Sequence, residues 1–263
     1  MTSASLLRPP TLTHRTWRVW QRNRLVFVRT FRVNFLPPLL EPLLYLLSLG
    51  YGLGAFVSDI GGVSYPRFIA PALIAISIMN AGFFETTYAS YVRMYFQKTF
   101  DAIIATPLSI EEVITGEILW GATRSLINAT IMLPVLVLFR VVDLPISLAI
   151  LPFALLAGFL FASIGMCFTA LTPNIDTLNL PTFLFITPMF LFSGTFFPLS
   201  ILPVPMQVFA NLFLPLTHVV KVCRMLTLSQ VTPAILISLA WITGVAAVVF
   251  VLAVNLMKKR LIV

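Results

Sequence analysis

Apolar residues run without alternation in six long blocks, divided by short stretches where charge, proline and glycine gather. A helix crosses a hydrocarbon core of about 30 Å with about 20 apolar residues. The pattern predicts spans at residues 35–57, 68–92, 118–139, 146–171, 178–197 and 234–257. Barrel strands would alternate apolar and polar positions over about ten residues, whereas these runs are apolar on every face. The expected fold class is all-α: a polytopic membrane protein with six transmembrane helices, forming a single transmembrane domain over residues 1–263.

The stretches between the blocks have their own patterns. Residues 13–34 interleave Trp17, Val19, Trp20, Leu25, Phe27, Val28 and Phe31 with arginines. That suits a helix lying in the membrane interface; the plainer reading is an ordinary basic flank. Residues 1–12, with Pro9 and Pro10, are expected to be loose. Pro37, Pro38, Pro42 and Glu41 open the first span, and Glu41 is expected to pair with Arg32. Residues 58–66, with Gly61 and Gly62, read as a turn. Residues 198–232 are apolar but cut by Pro198, Pro203, Pro205 and Pro215. The uncut pieces, 206–214 and 216–229, are too short to cross. They fit a re-entrant helical hairpin, which must be buried in protein because hydrocarbon cannot satisfy free backbone groups.

Charge adds orientation. Only 10% of residues are charged, against about 25% in a soluble domain, and mean hydropathy is +0.99. Thirteen of the seventeen Lys and Arg residues fall before the first span, around the loop between spans two and three, or in the closing Lys258, Lys259 and Arg260. Lys and Arg collect on the cytoplasmic side, so both termini are expected there and the hairpin outside. The net charge of +8 then marks topology and contact with anionic membrane lipid. No basic–aromatic pattern points to nucleic acid. The first apolar run starts only at residue 35, behind a long basic region, unlike a cleavable signal. Cys167 and Cys223 are expected to remain unpaired.

One segment breaks the apolar rhythm: FDAIIATPLSIEEVITGE, residues 100–117. Ser109 and Glu112 have capping-box spacing, and Pro107 stops whatever helix precedes it. Residues 96–105 therefore read as a short helix with Phe100, Ile103 and Ile104 on one side and Lys98 and Asp101 elsewhere. A second helix starts at Ser109 and runs into span three. The short amphipathic helix suits docking in a partner's groove, or rests on the membrane surface as a solvated loop helix.

This loop resembles the first cytoplasmic loop in permeases of type-2 ATP-binding-cassette exporters, where a coupling helix inserts into the nucleotide-binding subunit. SGTFFPLSILP at 193–203 and PLTHVVKVCR at 215–224 are similar to the family's C-terminal third. Within the family the chain most resembles the nodulation-factor exporter permeases, which move a lipo-oligosaccharide outward with a separate ATPase. The resemblance implies a homodimer in the bacterial cytoplasmic (inner) membrane that binds two copies of a nucleotide-binding ATPase subunit. The docking residues would be Gln97, Lys98, Phe100, Asp101, Ile103, Ile104 and Ala105. ATP and Mg would be held by that partner, with no cofactor in this chain. The implied substrate is an amphipathic glycolipid or lipo-oligosaccharide; drug or antibiotic efflux is the alternative within the class.

The residues themselves point away from an enzyme. No G-x-x-x-x-G-K-[ST] phosphate cradle occurs, and no glycine precedes a lysine. His14 and His218 are far apart, no His or Cys pair has metal spacing, and His218 is expected to be structural. Ionisable residues inside spans mark sites. Glu85 lies eight residues before Arg93, about 12 Å along a helix, and Arg124 seven past Glu117, about 10 Å. These matched depths predict a Glu85–Arg124 ion pair, either a helix clamp or a substrate contact. Tyr88, Tyr91 and Tyr95 are spaced to share a helix face, which would line a sugar path or form an interfacial aromatic belt. Phe183, Phe185, Phe190 and Phe192 offer a lipid-like surface or simple packing. A proton-coupled carrier would use Glu85 as its proton site. An intramembrane enzyme would need a polar catalytic cluster that the spans do not carry.

Overall fold

The computed structural model describes residues 9–57 and 59–262, without the side chains of residues 32, 33, 41 and 42. Of residues 1–12, expected to be loose, 1–8 lie outside the described residues, as does the Arg32–Glu41 pair; Thr11 is tied down, its Oγ1 donating to Glu111 Oε2 at 2.8 Å. The described chain is helical apart from one isolated bridge between Ile60 and Val63. We number its helices α1 (Thr16–Arg29), α2 (Asn34–Ala55), α3 (Tyr65–Phe96), α4 (Thr99–Ile104), α5 (Ile110–Leu138), α6 (Ile146–Leu171), α7 (Asp176–Phe192), α8 (Val204–Phe213), α9 (Pro215–Thr227) and α10 (Ala234–Ile262).

Among the described residues five helices, α2, α3, α5, α6 and α10, are long and apolar enough to cross a membrane, or six if α8 and α9 form one bent span. Two expectations need correction. The fifth expected span, 178–197, becomes α7, which ends at Phe192 because Ser193 leaves the helix and Gly194 follows with φ of +74°; at Asp176–Phe192 it is shorter than the five helices long enough to cross. The short helix before α5 covers Thr99–Ile104, not 96–105. Phe96 closes α3, and Lys98, in the left-handed region at φ 52°, breaks the chain between them. The pieces of residues 198–232 meet at 90°, a bend that fits either a broken span or a re-entrant loop. Pro215 holds Leu214 extended (φ −102°, ψ 101°) and turns the corner.

The starts of the helices follow local chemistry. Ser64 precedes α3 in extended geometry, with Pro66 in the first turn, where proline loses no hydrogen bond. At α5 the Ser109 side chain accepts from the Glu112 N–H at 3.2 Å, and the Ser109 N–H donates to Glu112 Oε2 at 2.8 Å. Between α2 and α3, Ile60 and Val63 exchange backbone hydrogen bonds across Gly61 and Gly62, both at positive φ. That is the geometry of a tight two-residue turn.

Lipid is as apolar as leucine, so packing between spans rests on close approach and interhelical hydrogen bonds. The centre of the molecule shows both. A Cβ at Gly158 of α6 would lie 2.4 Å from Ser125 Cβ of α5, and one at Gly165 would lie 2.4 Å from Thr86 Oγ1 of α3. Ser125 Oγ donates to Ile78 O at 2.8 Å and Thr169 Oγ1 to Thr86 O at 2.7 Å. The α3, α5 and α6 trio forms the core, and α10 covers α6 with Ile242, Ala246, Ala253 and Val254. Thr16, Val19 and Asn23 are buried on α1, and Val19 occupies the space left by Gly116 of α5. The amphipathic stripe of α1 is therefore seated on protein, while Trp17, Leu25 and Val28 stay exposed.

Candidate functional site

At about 1.5 Å per residue, the twenty residues from Tyr65 to Glu85 carry α3 about 30 Å, the thickness of a hydrocarbon core. There the winding of α3 widens into π-type turns at Glu85–Ala89 and again at Val92–Phe96, a distortion often found at functional positions. The widened turns let Arg93 fold back along its own helix. Arg93 Nη1 donates to Glu85 Oε1 at 2.9 Å, and Arg93 Nη2 lies 2.6 Å from Glu117 Oε2 of α5. Arg124, two turns along α5 from Glu117, places Nε 3.3 Å from Glu85 Oε2. Four charges thus alternate in sign across α3 and α5.

Neutral donors complete the cluster. Glu117, fully buried, accepts from Asn23 Nδ2 of α1 and from Ser90 Oγ, both at 2.8 Å. Trp120 Nε1 donates to Glu85 Oε1 at 3.1 Å. Arg124 Nη2 donates to Asn34 Oδ1 at 3.3 Å, and its guanidinium lies 4.6 Å from the Phe27 ring centroid. A buried charge stripped of its partner is strongly destabilising; here the buried carboxylates have several donors each. Arg124 Nη1, by contrast, is buried without an acceptor among the described residues.

Two cavities adjoin this cluster, and a third adjoins the second of them. The first, of 490 Å³, is lined by Glu85, Tyr88, Arg93, Trp120, Arg124 and others from α1, the start of α2 and Ile175 just before α7. The second, of 350 Å³, runs between α2, α3 and α5 past Asn34, Ser77, Asn80, Arg124 and Asn128. Asn34 and Arg124 line both. Asn128 Oδ1, one turn along α5 from Arg124, is also buried without a hydrogen bond among the described residues. The third, of 520 Å³, is apolar, bounded by Pro37, Leu40, Leu44, Tyr45, Ser48 and Leu49 of α2, and shares Pro37 and Tyr45 with the second. Charge, amide and apolar linings thus follow one another along α2.

A family model for the ABC-2 type transporter matches residues 14–228. The chain belongs to the ABC-2 type transporter family. It is similar to Nodulation protein J of Sinorhizobium fredii, 34% identical over 93% of each chain. It is also similar to Nodulation protein J of Rhizobium leguminosarum bv. viciae, 36% identical over 92% of this chain and 93% of that one. A more distant relative is the inner membrane transport permease YadH of Escherichia coli, 24% identical over 70% of this chain and 72% of its own. This is an ABC-2 transporter permease, a multi-pass membrane component of a transporter.

In this ABC-2 permease, Glu85 and Arg124 are brought together as charged neighbours. The three tyrosines do not share one open face. Tyr88 lines the charged cavity and donates to Asn179 Oδ1 at 2.7 Å. Tyr91 is buried and donates to Pro173 O at 2.9 Å, while Tyr95 stacks on it with centroids 4.6 Å apart. Arg260 of α10 lies over both rings. The winding change in α3 turns Tyr91 and Tyr95 away from the cavity. Phe183 is exposed on α7, and Phe190 packs edge-on against Phe196 at 4.8 Å.

On α4 the expected docking face divides. Gln97, Lys98, Asp101 and Ala105 are exposed, whereas Ile103 and Ile104 are half-buried. Phe100 is fully buried among Tyr91, Val113, Ile114, Ile118 and Val254, so it anchors α4 to the bundle and is not free for a partner. Arg22 of α1 also reaches α4, donating from Nη2 to Thr99 Oγ1 at 3.3 Å.

Arg93, Glu117, Asn23, Ser90, Trp120 and Asn128 were not anticipated as site residues. Arg93 and Glu117 read as markers of span ends because charge is rare elsewhere. Their signal was nevertheless present: Glu117, Trp120 and Arg124 stand at i, i+3 and i+7, one stripe of a helix.

Proposed function

We propose that this permease is the transmembrane subunit of an ATP-driven exporter that moves an amphipathic glycolipid or lipo-oligosaccharide outward across the cytoplasmic membrane. The observation that carries the reading is the pair of unsatisfied buried groups, Arg124 Nη1 and Asn128 Oδ1, beside the amide-rich cavity next to the apolar one. Buried polar atoms without partners are uncommon in native proteins and call for a reason. A hydroxyl- or amide-bearing head both accepts and donates, so it satisfies Arg124 and Asn128 together. Its acyl tail lies against Leu40, Leu44 and Leu49. The substrate class is the one implied by the resemblance to nodulation-factor exporter permeases, a branch in keeping with the relatives named Nodulation protein J.

In this reading both termini and α4 face the cytoplasm, and residues 198–232 stay on the outer side as a re-entrant element. A separate nucleotide-binding ATPase, holding ATP and Mg, engages the exposed Lys98, Asp101 and Ala105 with Ile103 and Ile104. Two permeases and two ATPases assemble, and the path is completed between the permease copies. ATP-driven movement of the partner pulls on α4. Phe100 and the Arg22–Thr99 contact pass that displacement to α1, α3 and α5, where the charge cluster sits. Glu85 functions as a clamp: its oxygens are engaged by Arg93, Arg124 and Trp120.

The test is export of a labelled lipo-oligosaccharide from cells that express the permease with its ATPase. Asn128→Ala should lower export several-fold at normal permease abundance; unchanged export would remove the cavity from the path.

A further inference from the structure

Lys221, Arg224 and Met225 share one face of α9 and, with Gln230, line a cavity of 190 Å³ remote from the charge cluster. Among the described residues no carboxylate lines it. Among the described ion pairs neither cation takes part: the nearby Arg67 pairs with Asp143, and the other pairs lie elsewhere. Both cations are held in place by neutral groups. Arg224 Nη2 donates to Gly194 O at 3.0 Å, its guanidinium lies 4.0 Å from the Phe68 ring centroid, and its Nε is buried without an acceptor. Lys221 Nζ donates to Asn211 Oδ1 at the end of α8. The same α8 exposes Val204, Met206, Val208, Phe209, Leu212 and Phe213. Two positioned cations without counter-charge thus sit beside an uncovered apolar helix.

We propose that this pocket binds the phosphodiester headgroup of an anionic phospholipid, whose acyl chains cover the apolar face of α8. The headgroup supplies the negative charge that Lys221 and Arg224 lack among the described ion pairs, and Gln230 donates to its remaining oxygen. The tails replace the contact with water that the α8 face cannot sustain. A bare anion would meet the charge but leave that face open, so the joint character of the surface selects a lipid. The proposal is independent of the exported substrate.

The test uses the full purified permease in detergent, with lipid retention read by native mass spectrometry and by thermal stability. Dioleoyl phosphatidylglycerol should be retained and should stabilise the wild type, whereas dioleoyl phosphatidylcholine should do neither. One cation near an anionic lipid surface contributes enough for about five-fold in affinity, so Lys221→Gln should weaken retention about five-fold and Lys221→Glu further. Lys259→Gln, an exposed cation on α10, should change nothing. Arg224→Gln also removes the Gly194 contact, so Gln230→Ala, which leaves the bundle intact, serves as the second variant and should weaken retention as well. Equal retention by Lys221→Glu, or equal retention of phosphatidylcholine, would overturn the site. Displacement of the lipid by millimolar inorganic phosphate would overturn the lipid assignment and make the pocket a free-anion site.

Discussion

Arg93 Nη2 lies 2.6 Å from the Glu117 carboxylate, joining the end of α3 to the start of α5 where the latter is fully enclosed. Removing one partner of such a pair leaves the other uncompensated, at a cost of about 3–5 kcal/mol, whereas removing both costs less. Glu117→Ala should therefore sharply reduce folded yield and thermal stability in detergent. The Arg93→Ala, Glu117→Ala double variant should recover part of that loss. Additive losses in the double-mutant cycle would show that the pair is not coupled.

The close approach of α6 to its neighbours makes a second prediction. A methyl group at Gly165 would meet Thr86 Oγ1 at 2.4 Å and the Phe83 carbonyl oxygen at 2.7 Å. Overpacking of this kind costs about 1–3 kcal/mol. Gly165→Ala should lower the melting temperature, while Gly244→Ala on α10, with nothing within 4 Å, should leave it unchanged. Fluorescence-detected thermal unfolding in one detergent compares them directly.

The two kinds of residue on α4 should separate in experiment. Asp101→Lys alters an exposed side chain, so it should reduce copurification of the ATPase several-fold without changing permease stability. Phe100→Ala empties a buried site, and truncations of this type cost about 3–5 kcal/mol; it should lower stability of the permease alone. Equal behaviour of the two variants would contradict the division of the helix.

Asn128 gives a fourth prediction. Its side-chain oxygen has no partner to lose, and burying an unsatisfied polar group is itself unfavourable. Asn128→Leu should leave stability equal or raised while export falls. A loss of stability matching the loss of export would make Asn128 structural.

Much of the fold was legible because helix length and proline placement are local properties. The fourth span at 146–171 has the bounds of α6, and the Ser109–Glu112 box starts α5. Matched depth along two helices also led to the proximity of Glu85 and Arg124. What was not legible depends on winding. The wide turns at Glu85–Ala89 and Val92–Phe96 have no proline or glycine to announce them, yet they rotate Tyr91 and Tyr95 away from Tyr88 and fold Arg93 onto Glu85. Phe100 looked like a docking residue because periodicity separates apolar from polar faces without saying what covers the apolar one. The right angle between α8 and α9 comes from Pro215, which the sequence shows as a break without an angle.

The central claim is that a partner ATPase drives an amphipathic molecule past Arg124 and Asn128. Its most direct measurement is uptake of labelled lipo-oligosaccharide into inverted membrane vesicles holding the permease and its ATPase. The account predicts uptake that requires ATP, survives collapse of the proton gradient and is lost in Asn128→Leu while ATPase association persists. Uptake that runs on a proton gradient without ATP, or that Asn128→Leu leaves intact, would contradict it.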